Sequence, residues 1–216
     1  MKTITIPKRF GYPTTEIISN GKHYTLKSGE EISVEDHLAE IIENAIALAP
    51  KYGRNISRFA QFVEGGITEI NEEELEGITV ISPCAFYNYD NLISIVIPDS
   101  VTNIDYSAFG NCDRLADVTI GGGVTSIGAN AFEYCTSLES IEITNNVNSI
   151  GSHAFRECTK LKKVIVRPVI PPSIKANTFL NVPTTCVFEV PAESLEAYKS
   201  APYWSAIANQ IVAIKE

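Results

Sequence analysis

Several features that define whole classes of protein are missing from this sequence of 216 residues. No run of 18 apolar residues occurs, and the segment from Met1 to Arg9 has no apolar signal-peptide core. We therefore predict no membrane insertion. As a full-length product the protein would be cytoplasmic or virion-associated, whereas a trimmed or otherwise exported protein would be at the cell surface or extracellular.

Basic residues are also scarce, because 17 Lys and Arg face 26 Asp and Glu, for a formal net charge of −9. Proteins that bind nucleic acid usually carry clustered positive charge. The composition predicts that nucleic acid is not a partner.

Groups suited to catalysis are few. The motifs GxSxG and HExxH, the P-loop and the dinucleotide-binding fingerprint are all absent. The three histidines lie in unrelated segments, at His23, His37 and His153. The position of His153 recurs every 23 residues, as Cys84, Ser107 and Asn130, which we interpret as a variable surface position. We predict no enzymatic activity, no catalytic or metal-binding residue and no cofactor.

What the sequence does contain is a repeat of 23 residues. Its clearest marker is an alanine–phenylalanine pair that ends at Phe86, Phe109, Phe132 and Phe155. Apolar columns in the same register comprise Leu92, Leu115, Leu138 and Leu161; Ile97, Ile120, Ile143 and Val166; and Val101, Val124, Val147 and Ile170. A unit this short cannot bury its apolar face alone, so the copies must stack as a solenoid with these columns, including a phenylalanine stack, inside.

Three of the five cysteines, Cys112, Cys135 and Cys158, share one repeat position. Parallel side chains on stacked coils seldom have the geometry that a disulfide needs. We predict buried, reduced thiols in this column, and free thiols at Cys84 and Cys186, which lie off it.

Residues 1–55 lack the repeat. Two strand-like segments flank Asn20-Gly21, a strong β-hairpin signal. The spacing of Ser33 and Asp36 resembles a capping box, and apolar residues from Leu38 to Leu48 mark one face of a helix that ends before Pro50. The pattern predicts a small ββα unit.

The predicted fold is α+β: the ββα unit at 1–55, a linker and atypical capping coil at 56–80, a solenoid at 81–190 and a C-terminal cap at 191–216. The cap would contain a short helix from Glu193 to Lys199, Trp204 as a covering residue and a final strand from Ile211 to Ile214.

The motif Ala131-Phe132-x-x-Cys135-x-x-Leu138-x-x-Ile141-x-Ile143 and its copies resemble the Treponema-type leucine-rich repeat of BspA-like proteins, over roughly residues 67–191. The resemblance implies a leucine-rich repeat solenoid. It also implies a bacterial, often surface-displayed interaction protein, of a kind that in some cases binds host matrix proteins, with no catalytic motif. Two departures weaken an adhesin interpretation: the missing signal peptide and an array of only about five coils.

The candidate partner-binding surface consists of outward positions on the main strands. One row contains Ser94, Asp117, Ser140 and Lys163, and the other contains Val96, Thr119, Glu142 and Ile165. Neither row has Trp, Tyr or Arg, the residues that binding hot spots favour.

A basic cluster in the fourth coil extends this candidate surface. It comprises Arg156, Lys160, Lys162, Lys163, Arg167 and Lys175. It is either an anion or partner patch or a solvated face opposite nearby glutamates. Together with the acidic run Glu72–Glu76 it also predicts salt-sensitive self-association.

We expect a non-enzymatic interaction or adhesion module with an unknown protein or glycan partner. The alternative is a structural or assembly component, for example of a prophage or virion, anchored through residues 1–55.

Overall fold

The structure is a computed structural model that describes the backbone of residues 2–5, 14–19, 22–27 and 31–34 and, in full, residues 68–72, 75 and 77–215. The chain divides into two compact units, Met1–Ile67 and Thr68–Glu216. No helix among these described residues is long and apolar enough to cross a bilayer.

The first unit contains two antiparallel strand pairs. Strand β2 (Thr14–Ser19) pairs with β3 (Lys22–Lys27), and Ser19 lies opposite Lys22, as the predicted hairpin requires. Strand β1 (Lys2–Thr5) pairs with β4 (Glu31–Val34), which the sequence analysis did not predict. The predicted helix lies outside the described residues.

The second unit is a leucine-rich repeat solenoid with two faces of parallel strands. The main strands are β5 (Glu69–Ile70), β7 (Ser94–Ile97), β9 (Asp117–Ile120), β11 (Ser140–Ile143), β13 (Lys163–Val166), β14 (Val187–Val190) and β15 (Ile211–Ala213). The short return strands are β6 (Val80–Ile81), β8 (Asn103–Ile104), β10 (Ser126–Ile127) and β12 (Ser149–Ile150). The main strands form two hydrogen-bonded sheets, in the orders β5-β7-β9 and β11-β13-β14-β15, which lie next to each other and are together called the main sheet. Partners are 23 residues apart between β7 and β9, between β11 and β13 and between successive return strands, as in Ile95 beside Val118, so the repeat period is also the pairing register there. At the start of the array the offset is 25, since Glu69 pairs with Ser94.

The main sheet continues past the predicted end of the array at residue 190. Strand β14 pairs with β13, and β15 pairs with β14. Residues of β14 thus follow their partners in β13 by 24 positions, one more than the repeat period, and β15 is the strand that extends the sheet beyond residue 190.

Turn segments close each coil with a hydrogen-bond ladder of their own. The N–H groups of Cys84, Phe86 and Asn88 donate to carbonyls of the next coil at 2.8, 2.7 and 2.9 Å. The intervening N–H groups of Ala85 and Tyr87 donate to carbonyls three residues earlier in the same coil. The backbone is thus paired between coils even where no β-strand exists.

Two residues in most of these turns have left-handed backbone conformation. Positive φ values of 49–62° occur at Cys84, Asn88, Ser107, Asn111, Asn130, Tyr134, His153, Glu157 and Asn181. This conformation is disfavoured for residues other than glycine, although asparagine tolerates it comparatively well. The sequence analysis missed it, and the recurring asparagines were the available signal.

The phenylalanine stack is confirmed and has five members. Successive rings from Phe86 through Phe109, Phe132 and Phe155 to Phe179 lie 5.1–5.4 Å apart between centroids, within 9° of parallel. The three middle rings are fully buried. Packing across coils therefore runs through one continuous aromatic column.

The prediction that Ile170 faces the core is wrong. Five residues separate β13 from Pro172, whereas three separate the preceding main strand from Val147. The Ser173 N–H donates to the Asn148 carbonyl at 2.9 Å, which places Pro172 at the buried position that continues the column of Val147. The two extra residues push Ile170 outward, and it is 81% exposed.

The C-terminal segment covers the last coil. It contains a 3₁₀ turn (Ala192–Ser194), helix α1 (Leu195–Ser200), a second 3₁₀ segment (Trp204–Gln210) and strand β15. Trp204 is 1% exposed, packs near Phe179 and Phe188, and donates from Nε1 to the Pro172 carbonyl at 2.8 Å. The Tyr198 hydroxyl donates to the Pro168 carbonyl at 2.7 Å.

Candidate functional site

The predicted partner-binding rows lie side by side on the main sheet. Ser94 pairs with Asp117, and Val96 pairs with Thr119. Ser140 pairs with Lys163, and Glu142 pairs with Ile165. Of these eight residues, four are exposed (Asp117, Thr119, Ser140 and Glu142) and four are half-buried. The sheet thus places the predicted residues on two neighbouring strand pairs.

Most of the basic cluster is paired with glutamates of neighbouring coils. The pairs are Arg156–Glu133 at 3.1 Å, Lys162–Glu139 at 2.7 Å, Lys163–Glu189 at 2.9 Å and Arg167–Glu142 at 2.9 Å. The hydrogen bond and charge of Lys162 lower the pKa of Glu139. Within this cluster, Lys160 and Lys175 are the two residues that have no ion pair to another described residue. Since most charges are compensated, the geometry favours a solvated face that bridges coils over a free anion site.

The turn side carries the hot-spot residue types that the sheet lacks. Tyr87, Tyr106 and Tyr134 are 39%, 52% and 37% exposed. Sequence reasoning missed these exposed tyrosines because only outward positions on the main strands were compared. Setting aside the buried repeat positions of the turn segments as well would have left these tyrosines as outward residues.

Neighbouring coils hold two of these tyrosines in place. The Asn111 amide donates to the Tyr87 hydroxyl at 2.9 Å. The Arg156 guanidinium lies 5.5 Å from the centre of the Tyr134 ring and donates to its hydroxyl at 3.4 Å. A cation above an aromatic ring is a favourable arrangement. Contacts from neighbouring coils therefore position both rings.

The cysteine column lies in the core of the solenoid. The thiols of Cys112, Cys135 and Cys158 donate to the carbonyls of Phe86, Phe109 and Phe132 at 3.0–3.2 Å, and all are free and buried. Burial raises the pKa of Cys112 and of Cys158 to about 12. The prediction that this column is buried is confirmed. Cys186, predicted to lie off the column, is close enough to Cys158 for its charge to raise the pKa of that thiol.

The position of His153 is not a simple surface column. Its counterpart Ser107 is buried, and four residues at this position share a left-handed backbone. The His153 ring lies 3.0 Å from the Asn177 amide nitrogen and 3.1 Å from the Ser152 hydroxyl. Within the described part of the chain, no group of three or more side chains is arranged to hold a metal ion.

Comparison with known proteins agrees with this geometry. Residues 56–198 match the family described as BspA type leucine-rich repeat region, in six copies. The chain is similar to the T. pallidum leucine-rich repeat protein, with 21% identity, a TM-score of 0.55 and 70% of each chain covered. It is also similar to a leucine-rich cell surface protein from Faecalibacterium prausnitzii, with 27% identity and a TM-score of 0.55, over 66% of this chain and 35% of that one. No curated protein sequence matches it.

Proposed function

This chain belongs to the BspA-type leucine-rich repeat family, and from that premise we propose that it is a non-enzymatic protein-interaction module. The observation that carries the proposal is the in-register stacking of coils, which presents rows of outward side chains that the core does not require. The F. prausnitzii protein is described as a cell surface protein, so extracellular proteins are the first class of partner to test.

The C-terminal half of the main sheet is the part of the predicted surface that best suits a partner. Ile165 lies between Glu142 and Glu189 on the neighbouring strands. Arg167 and Lys163 pair with these two carboxylates. An apolar centre with a polar rim is the usual anatomy of a protein interface.

The ion pairs at this surface affect which partner binds more than how tightly it binds. Exposed ion pairs contribute about 0.2–1 kcal/mol each and weaken with salt. A partner that presents an acidic group to Lys163 would compete with Glu189 for it. We therefore expect binding at this surface to depend mainly on the apolar contact at Ile165.

The test uses the intact protein, immobilised and exposed to extracellular protein fractions. A captured protein is identified, purified and titrated against the native chain, against Ile165→Asp and against Ser205→Asp, which adds the same charge at an exposed position far along the chain. We expect at least tenfold weaker binding for Ile165→Asp only. If both variants bind the partner equally well, the proposal that the partner binds at the main sheet is refuted. Retention of glycans but no protein would refute protein interaction itself.

A further inference from the structure

We propose that the solenoid has a hinge between strands β9 and β11, at the point where the main sheet divides into two hydrogen-bonded sheets. The other neighbouring main strands are joined by parallel ladders. Between β9 and β11, which are both described in full and lie next to each other, no backbone hydrogen bond is formed. The hinge is a property of the fold and does not rest on the proposed function.

The break leaves the backbone of Val118 without a ladder partner. The Asp117 N–H donates to the Ile93 carbonyl of the preceding coil at 3.1 Å. Because successive residues of a parallel strand direct their N–H and C=O groups to opposite sides, those of Val118 point towards β11. Val118 is also half-buried, whereas its repeat equivalents Ile95 and Ile141 are 1% and 2% exposed. The core is therefore less completely closed at this junction than in the neighbouring coils.

The three glycines that follow β9 hold the end of this strand against the preceding coil. An added Cβ at Gly121 would lie 2.5 Å from the Pro98 carbonyl carbon, and one at Gly123 would overlap the Asp99 carbonyl oxygen. The Gly122 N–H donates to the Asp99 carboxylate at 2.6 Å. Side chains at these positions would prevent so close an approach. The contacts fix β9 to the coil before it and not to the coil after it.

The coils on either side of the break remain joined at their other faces. In the turns that lead into β9 and β11, the Phe109 N–H donates to the Ala131 carbonyl at 2.8 Å. The rings of Phe109 and Phe132 lie 5.1 Å apart. The return strands that follow are paired, with Ser126 beside Ser149. A ladder that is broken on one face and intact on the others allows the coils to tilt about the intact faces.

Side chains of the coil after the break limit how far it opens. The Thr144 hydroxyl donates to the Gly121 carbonyl at 3.2 Å, and the Asn146 amide donates to the Gly122 carbonyl at 2.6 Å. Water competes with such bonds at exposed positions, so each restrains the coils only weakly. We therefore expect the two sheets to tilt on the microsecond to millisecond timescale of collective motions.

The break runs through the candidate partner-binding surface. The four exposed residues of that surface lie on the two strands beside it: Asp117, Thr119, Ser140 and Glu142. Tilting changes the distance between the residues of β9 and those of β11. A partner that contacts both strands would thus select one hinge angle, whereas a partner confined to β13 and β14 would not depend on it.

Amide hydrogen exchange and relaxation dispersion, measured by NMR on the full-length protein, test the hinge. Ile95, Val118 and Ile141 occupy one repeat position, and the break lies beside Val118 only. We expect the Val118 amide to exchange at least about a hundredfold faster than the other two, and to show a microsecond to millisecond contribution that they lack. Asn146→Ala should raise that contribution at least about twofold. The matched variant Asn145→Ala, at an exposed neighbouring position, should leave it unchanged.

Four results would overturn the hinge and leave the proposed protein interaction untouched. Exchange at Val118 as slow as at Ile141 would show that the ladder is closed in solution. Fast exchange without a microsecond to millisecond contribution would show a fixed gap. Equal contributions at Ile95, Val118 and Ile141 would show a general loosening of the solenoid. Equal changes in Asn146→Ala and Asn145→Ala would show that the motion does not open the contact with Gly122.

Discussion

Truncation of Phe132 tests how the coils are held together. The ring is fully buried and stacks on Phe109 at 5.1 Å and on Phe155 at 5.4 Å. Removing a buried phenylalanine costs about 3–5 kcal/mol, from lost burial and from the cavity that remains. Because backbone ladders in the return strands and in the turns fix the neighbouring coils, the site has little freedom to collapse. We expect Phe132→Ala to lower the free energy of unfolding by an amount in the upper half of that range.

The matched variant Phe132→Leu separates stacking from volume. Leucine keeps most of the apolar bulk but loses two ring–ring contacts, which contribute about 0.5–1.5 kcal/mol each. We therefore expect a loss of about 1–3 kcal/mol for Phe132→Leu, smaller than the loss for alanine.

Urea unfolding followed by fluorescence measures both variants. Trp204 is the only tryptophan and is buried against the last coil, so its emission reports unfolding of the solenoid. A loss below about 1.5 kcal/mol for Phe132→Ala would refute the idea that the phenylalanine stack is a main source of stability. Equal losses for alanine and leucine would show that stacking, and not filled volume, dominates.

Three further predictions concern register, thiols and ion pairs. Ile170→Asp should leave the unfolding midpoint nearly unchanged, whereas Val147→Asp should prevent cooperative unfolding, since only Val147 is buried. Stability should fall as pH rises above about 9, because unfolded thiols ionise near 9.0 while native Cys112 resists ionisation until about 12. Replacing the three stacked cysteines by alanine should flatten that alkaline slope in urea titrations. Lys162→Ala should change stability by less than about 1 kcal/mol, because its ion pair is exposed. A larger loss of stability for Lys162→Ala, measured at low and high salt, would contradict the conclusion that this exposed ion pair contributes little.

Much of the solenoid was predictable because stacking repeats one set of contacts. The inward columns, the phenylalanine stack and the buried thiols follow from the 23-residue period, since a side chain that faces the core in one coil must do so in the next. The wrong prediction for Ile170 came from the same assumption of a constant period. The period was extended across a two-residue insertion, and only the hydrogen bond of Ser173 shows where the register resumes.

The candidate surfaces were less predictable. Periodicity distinguishes inward from outward side chains but does not show which outward residues contact each other. The ion pairs of Arg167 and Lys163 join residues 25 and 26 positions apart, offsets that differ from the repeat period. Similarly, the exposure of Tyr106 depends on the turn conformation, which sequence patterns describe poorly.

The amino-acid sequence by itself determined the period, the buried columns and the class of fold, because the need to bury a short apolar unit leaves stacking as the solution. Only the tertiary structure decided the left-handed turns, the compensation of the basic cluster and the exposure of tyrosines on the turn side. These features depend on backbone angles and on distances between side chains of successive coils. Both are set by how one coil lies on the next.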